Sequence, residues 1–553
     1  MLPAPLPAQA PPACEGRTIT EVEIRARPPY PEGLLRRLEP VVAAVDALHV
    51  TTRTGVVRRY LAFHPGEPCS PLRLAESERI LRTQPFIADA TITAVPDGDG
   101  VRIEVETIDE ISLTGGMSAS ADSPYLTAFR LGDRNVLGGG LELIGEWRSG
   151  FFYRDTWGGQ LVHRQILGRP YDLTIAGARR THGDVWIGEL RHAFLTDLQR
   201  LAWRAAGGST RELHSLLREP GAPVAIQVER QWADVGGVIR VGLPGRLSLF
   251  GASLSREFEA TSDRAVMISD SGLVIDESVN LDGRFERHRM ARVNALWGVR
   301  AIRFMRVTGF DALSGAQDVR KGFQLGTMLG RSLSVLGSED DDIIAAADLY
   351  VGGGTPRVFA GMQVHAEGRQ DYDENRWDGI LGSGRTALYG RLTQRHTLVA
   401  SAEWSGGWRQ RTPFQLTLGD RDGGVRGHGG SPAGGARRVV VRIEERWRLG
   451  RPLALADVGV AMFADGGRLW AGDAMFGVST EPRFGVGAGL LLAVPPQSRH
   501  LWRLDIAVPV GPHRHGVEVR LSSRDISRAF WREPSDVVRN RERILPASVF
   551  SWP

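Results

Sequence analysis

The residues of this chain best suited to doing chemistry are Val425-Arg426-Gly427-His428. They sit between Gly419-Asp420-Arg421-Asp422-Gly423-Gly424 and Gly429-Gly430-Ser431-Pro432-Ala433-Gly434-Gly435, and an alternating stretch from Arg437 to Trp447 follows at once. An arginine presents a planar fork of donors that fits a carboxylate at two points, so it can pin a long loop at a single position. Taken alone, the tetrapeptide also fits a solvated surface loop, where most arginines lie. With Phe463-Ala464-Asp465-Gly466-Gly467 shortly downstream, it reads as the tip of a loop tucked back into something hollow. That implies a barrel with a working lumen.

Other chemistry is missing from the sequence. There is no Gly-x-Ser-x-Gly elbow, phosphate loop or His-Glu-x-x-His, so no enzyme is expected. Asp420-Arg421-Asp422-Gly423 lacks the third ligand position of a calcium loop and reads as turn chemistry. His513-Arg514-His515 puts two imidazoles on one strand face, which could hold a metal but reads more simply as an ordinary strand, and Glu339-Asp340-Asp341-Asp342 reads as a solvated loop. No metal and no cofactor are expected.

The elements that must position Arg426 follow from length and composition. A chain of 553 residues is long for one ordinary domain, which points to one small and one large unit. Its 67 glycines and 14 tryptophans come without an apolar run long enough for a membrane helix, but this leaves a membrane-spanning barrel open, because half of each spanning strand is polar. Basic residues are nearly all arginine, with Lys321 the one lysine, and carboxylates almost match them to leave a net charge of +4. Nucleic acid is therefore not an expected partner. Cys14 and Cys69 lack metal-ligand spacing and fit either one disulfide in a periplasmic setting or two free thiols. Met1 to Ala10 lack a charged start and a long apolar stretch, yet Ala8-Gln9-Ala10 has the small-x-small form of a cleavage site. The segment reads as the remnant of a signal region, and the protein as exported.

From Arg17 to Thr107 the pattern is mixed α/β. Thr18 to Arg25 alternates with period two as a strand, and Pro28-Pro29-Tyr30-Pro31 breaks the chain before a helical stretch interrupted by Pro40. Gly55 to Phe63 reads as a short helix, and Ser70-Pro71 opens another, with serine at the cap and proline in the first turn. Two strands, Asp89 to Val95 and Val101 to Thr107, flank Pro96-Asp97-Gly98-Asp99-Gly100, a hairpin signal.

The run Val50-Thr51-Thr52-Arg53-Thr54-Gly55-Val56-Val57-Arg58-Arg59-Tyr60-Leu61, continuing through Pro65-Gly66-Glu67-Pro68 and Glu76 to Arg82 into Pro85-Phe86-Ile87-Ala88-Asp89-Ala90, resembles a POTRA domain. That is the periplasmic module preceding the barrel in the BamA/TamA superfamily of outer-membrane assembly and translocation proteins. Two departures stand out: an insertion from Ala26 to Leu48, and one such module where most bacterial relatives have several.

After Asp109 the chain turns to strands and glycine-rich turns. In Leu141 to Arg148, Leu141, Leu143 and Trp147 fall on one face and Glu142, Glu146 and Arg148 on the other. In Val439 to Trp447, Val439, Val441, Ile443 and Trp447 would face lipid, with Arg442, Glu444 and Arg446 toward the lumen and Glu445 near the interface. Strands of about 9 to 11 residues plus loops give about sixteen to eighteen strands, and the superfamily resemblance favours sixteen. The expected fold is thus mainly β: a transmembrane antiparallel β-barrel preceded by one small α/β POTRA-like periplasmic domain. Expected boundaries are 1–14 for the flexible N-terminal remnant, 15–108 for the POTRA-like domain, 109–525 for the barrel and 526–553 for a C-terminal tail.

In that superfamily an arginine at the tip of an inward-folded loop, within a Val-Arg-Gly-aromatic motif, pairs with an acidic residue from a Phe-x-Asp-Gly motif on the wall. The resemblance assigns Val425, Arg426 and Gly427 to the first motif and Phe463, Asp465 and Gly466 to the second. Glu444 and its companion Arg446 take the neighbouring Glu-x-Arg pattern, while His428 replaces the usual aromatic. Phe484 to Leu490 and Trp502 to Val510 resemble the penultimate strands, and Arg514 to Leu521, with Gly516, Val517, Val519 and Leu521, resembles a β-signal at the barrel seam. Such barrels end on an aromatic residue there, but this chain continues through Phe530 and Trp531 to Pro553, a tail that either folds into the lumen or lies on the periplasmic side.

The resemblance implies an outer-membrane protein, with its N-terminal domain in the periplasm, that assists insertion, assembly or translocation of client proteins. Expected partners are unfolded outer-membrane or secreted polypeptides, outer-membrane lipid and accessory periplasmic proteins. The alternatives are a secretion pore dedicated to one partner protein and a passive porin-like channel.

Overall fold

The computed structural model describes residues 14–30, 49–119, 126–149, 156–180, 182–269, 272–372, 375–419, 423–511, 516–525 and 530–541. The signal remnant, the bulk of the 26–48 insertion, Asp420 to Asp422, His513 to His515 and the tail beyond Arg541 lie outside the described residues.

The N-terminal unit is a three-stranded sheet ordered β1-β3-β2, with β1 Ile19–Arg27 parallel to β3 Gly100–Asp109 and β2 Ile87–Asp97 antiparallel to it. The β2–β3 hairpin turns at Gly98, whose φ of +55° lies in the left-handed region that glycine adopts without penalty. Two helices cover the sheet. The first, α1 Thr54–Arg58, is shorter than the expected Gly55 to Phe63 helix, because the chain leaves helical geometry after Arg59. The second, α2 Pro71–Thr83, starts after Ser70 as expected, although the serine side chain makes no capping hydrogen bond. Val57, Leu81, Phe86, Ile103 and Val105 form the centre of the core. Cys14 and Cys69 are joined in a disulfide that ties the start of the unit to the entry of α2.

The rest of the chain is a closed antiparallel barrel. Six short strands come first: β4 Leu113–Ala119, β5 Leu126–Asp133, β6 Leu141–Arg148, β7 Thr156–His163, β8 Asp172–Arg180 and β9 Gly183–His192. A taller wall follows in β10 Leu201–Leu216, β11 Val224–Leu243, β12 Arg246–Ser269, β13 Gly272–Asn280, β14 His288–Thr308 and β15 Ala316–Ser332. Next come β16 Asp342–Gly354, β17 Val358–Asp371, β18 Arg376–Arg391 and β19 His396–Trp408. Within the following loop β20 Leu416–Thr417 pairs with β21 Gly434–Gly435. The wall finishes with β22 Arg437–Gly450, β23 Asp457–Trp470, β24 Arg483–Ala493, β25 His500–Val510 and β26 Glu518–Asp525, which closes onto β4.

Twenty-one strands belong to the barrel sheet, but β13 pairs only with the far end of β12, below which β12 and β14 pair directly. The ring itself therefore has twenty strands, which corrects the expectation of about sixteen. The reason is economy of length: β4 to β9 are 7 to 10 residues each, and β8 and β9 are separated only by residues 181 and 182, so more strands fit into the same stretch. The last strand also starts later than the expected Arg514: it begins at Glu518, and Gly516, whose φ of +65° lies outside extended geometry, precedes it.

Side chains alternate in and out around this ring. On the outside stand Leu143, Trp157, Trp186, Leu254 and Trp297; on the inside Glu142, Arg204, Asp234, Glu257 and Arg292 are buried. A water-soluble barrel would reverse that order, whereas apolar-out and polar-in is the arrangement of a barrel that spans a bilayer. On β22, Val439, Val441 and Ile443 are exposed on the outer face while Glu444 is buried on the inner one, as the alternation of the sequence demands. No described helix is long and apolar enough to cross a membrane, which says nothing of the strands.

The N-terminal unit docks on one mouth of the barrel. Arg82 of α2 meets Asp318 of β15 at 2.8 Å, Asp89 meets Arg306 of β14 at 3.0 Å, and Arg499 donates to the Gln84 and Ile87 carbonyls at 2.7 and 2.6 Å. At the other mouth, the loop between β19 and β22 folds back into the lumen, where Phe414, Leu416, Leu418 and Val425 pack against Leu381, Val440 and Leu469 of the wall. The tail re-enters the lumen as well, and Val537 of α3 Ser535–Asn540 joins the same apolar cluster.

Candidate functional site

The inward loop is aimed by its ends. The β20–β21 ladder closes its neck, and Gly424 and Val425 hydrogen-bond back to Gly419 and Leu418, so the tip is a compact turn that presents Arg426 to the wall. Arg426 Nε and Nη2 donate to the two oxygens of Asp465, each at 2.8 Å, and its backbone N–H adds a third bond at 3.2 Å. Its Nη1 reaches Glu444 at 3.1 Å. The guanidinium lies 3.4 Å from the centroid of the Phe463 ring, close enough for a strong cation–π contact. Asp465 and Phe463 share the inner face of β23 because they are two residues apart, and Glu444 stands opposite Phe463 in the β22–β23 register.

Space for this arrangement comes from glycines on the inner face of β24. A Cβ at Gly485 would collide with the Arg426 carbonyl oxygen, one at Gly487 with the Ile506 carbonyl oxygen and the Phe463 ring, and one at Gly489 with the Asp505 carboxylate. On β23, Gly467 leaves room for Val425, whose Cγ2 would stand 2.6 Å from an added Cβ. Gly466 points outward and accommodates Phe484. Gly427 has φ +88°, a conformation that lets the chain turn away immediately after the arginine.

Around the pair a wider network forms. Arg503 of β25 holds both oxygens of Glu444, at 2.8 and 3.0 Å, and also bonds Asp505 at 3.0 Å. Arg446 donates to Glu444 at 2.5 Å and to the Phe310 carbonyl at 2.8 Å. Arg442 donates to the Gly423 and Gly424 carbonyls at 3.0 and 2.7 Å and pairs with Glu403 at 2.8 Å. Glu518 of β26 accepts from the backbone N–H groups of Gly427 and Gly429, at 2.9 and 3.2 Å. His428 lies against the wall, with Nε2 3.0 Å from the Phe484 carbonyl oxygen. One loop tip thereby touches β22, β23, β24 and β26, while Arg503 ties in β25.

The structure thus brings together Val425, Arg426, Gly427, Glu444, Arg446, Phe463 and Asp465, while Gly466 faces outward against Phe484. Val519 is exposed on the outer side of the closing strand and Val517, also exposed, precedes that strand; Val519 and Leu521 pair with Ile506 and Leu504. Arg503, Asp505 and Glu518 were not singled out from the sequence, nor was Arg442 as a loop anchor. The signal for the first two was present in Trp502-Arg503-Leu504-Asp505-Ile506, where charged residues alternate with apolar ones on a strand. What the network can do is mechanical: it offers oriented charges that hold a loop, and among the described residues no group of His, Cys, Asp and Glu is arranged to hold a metal ion.

No family model matches the chain, and no curated protein matches it. Among solved structures it is similar to BamA from Haemophilus ducreyi lacking POTRA domains 1–3, at 10% identity over 92% of this chain and 85% of that one, with a TM-score of 0.38. CdiB from Escherichia coli is similar at 12% identity over 95% and 93% of the two chains, with a TM-score of 0.42. OpdK from Pseudomonas aeruginosa, solved with vanillate, is similar at 13% identity over 74% and 95%, with a TM-score of 0.30.

Proposed function

We propose that this protein is an outer-membrane barrel of the BamA/TamA superfamily that assists insertion, assembly or translocation of client polypeptides, with its N-terminal α/β unit serving as a periplasmic POTRA domain. The observation that carries this reading is the Arg426 clamp, an inward loop fixed to Asp465 and Glu444 whose tip also reaches Glu518 on the closing strand. A passive pore has no need of such a brace. An assembly or translocation factor does, because a seam that opens between β26 and β4 leaves the last strands of the wall without lateral support. The clamp holds β22 to β26 as one body while the seam works. Clients are unfolded outer-membrane or secreted chains, which add to an exposed strand edge by main-chain hydrogen bonding. In the N-terminal sheet β1 and β2 are the edge strands. Outer-membrane lipid and accessory periplasmic proteins complete the set of partners.

A secretion pore dedicated to one partner is the second reading, favoured by the width of the ring. Barrels larger than about sixteen to eighteen strands enclose a bore that wall side chains do not fill, and here the chain's own loop and tail occupy it.

Arg426→Ala is expected to lower the level of clients in the outer membrane or the medium while the barrel itself remains in the membrane at parental abundance. Client levels unchanged by Arg426→Ala would count against the proposal.

A further inference from the structure

The C-terminal tail makes a second set of lumenal contacts, independent of the clamp. Phe530 sets its ring edge-on to Tyr350 of β16, with centroids 5.8 Å apart, and lies beside Gly361 of β17, where a Cβ would come within 2.9 Å of the ring. Arg385 of β18 donates to the Phe530 carbonyl at 2.6 Å and places its guanidinium 5.3 Å from the ring centroid. Glu533 accepts from Ser383 of β18 at 2.5 Å. Asp536 takes both arms of Arg438 of β22, at 2.6 and 3.1 Å, and a backbone N–H from Thr417 in the inward loop at 3.3 Å. Arg230 of β11 donates to the Arg539 carbonyl at 2.7 Å, and Arg541 pairs with Asp348 of β16 at 3.2 Å.

These contacts form a chord across the bore, because β11 and β22 are separated by β12 and β14 to β19 in the ring. The tail therefore crosses the lumen beside the loop it packs against. It is held differently from the wall, however. Beside the apolar Trp531, Pro534 and Val537, the buried residues of the described tail are Asp536 and Asn540, and their partners are Arg438 of the wall and Thr412 and Thr417 of the inward loop rather than a strand ladder. Such bonds exchange for water when the segment leaves, and the barrel ladders stay whole.

We propose that the lumen contains a peptide-binding cleft whose resident ligand is the chain's own tail, and that the tail is an exchangeable plug. The cleft selects an aromatic side chain followed, at three-residue spacings, by two carboxylates. Phe530 meets the Tyr350 and Arg385 site, Glu533 meets Ser383, and Asp536 meets Arg438 and the Thr417 backbone at the neck of the loop. The proposal rests on these contacts and not on the identity of any client, so it can fail while the proposed function stands.

The test uses the full-length protein in planar bilayers. The parent is expected to conduct weakly, and Glu533→Ala/Asp536→Ala, shown to be folded by heat-modifiable mobility, is expected to conduct several-fold more. A synthetic peptide of residues 530–541 added to this variant should restore weak conductance, and the same peptide with alanine at 530, 533 and 536 should not. A second variant, Ser383→Cys/Glu533→Cys, joined by a short bismaleimide while Cys14 and Cys69 remain paired, should conduct weakly, and more strongly without the cross-linker. Equal conductance of the parent and the folded double-alanine variant overturns the plug, and failure of the peptide to lower conductance overturns the cleft.

Discussion

Arg426 has three kinds of partner: the two oxygens of Asp465, one oxygen of Glu444 and the face of Phe463. Its loss would leave two carboxylates buried without that counter-charge, and removing one member of a buried pair costs about 3 to 5 kcal/mol, with water in the lumen pulling the figure toward the low end. Lysine keeps the charge but cannot fork onto one carboxylate while reaching a second. Arg426→Ala should therefore lower the thermal midpoint in detergent and expose the 409–436 loop to protease, with Arg426→Lys in between; an Ala variant that melts and resists protease like the parent would contradict the clamp. The pair itself was legible because both halves lie in short motifs. Arg503 and Glu518 were not, since they reach the site only through the register of β24, β25 and β26, which no local pattern states. His428, the residue that departs from the motif, turns out to bond the Phe484 carbonyl from the position the usual aromatic would occupy.

At the scale of elements, β24 is the strand that lets the loop come home. Its inner face is Gly485, Gly487 and Gly489, and side chains there would occupy the volume of the Arg426 backbone, the Phe463 ring and the Asp505 carboxylate. Gly487→Leu is expected to displace the Phe463 ring and the Ile506 carbonyl of β25 together, loosening the β24–β25 contact and freeing the loop, so 409–436 should lose its protease protection. Retained protection would show that the glycines serve some other purpose. Phe484-Gly485-Val486-Gly487-Ala488-Gly489 was readable as a strand, and its apolar outer face was plain. What the inner glycines make room for was not, because it depends on a loop that returns from the other side of β22. The same limit applies to α1, where apolar spacing continued past the point at which the chain turns toward Phe63.

For the whole molecule, the division into a small α/β unit and a large β-barrel followed from composition and periodicity, but the ring of twenty strands did not. Strand number depends on how tightly each hairpin closes, and the short β4 to β9 segment packs more crossings into its length than an average span allows. The two units are pinned together by Arg82 with Asp318 and by Arg306 with Asp89, so the edge strands of the N-terminal sheet are held at the mouth of the barrel. That placement suits a path in which a client meets β1 first and the β26 seam afterwards. The most direct measurement is photocrosslinking in living cells from a reactive residue at Val519, on the outer side of the closing strand, and from positions along Thr18 to Arg25. The account predicts polypeptide adducts at both places, with the same client chains captured from each; folded, membrane-inserted barrels that capture no polypeptide at either place would contradict it.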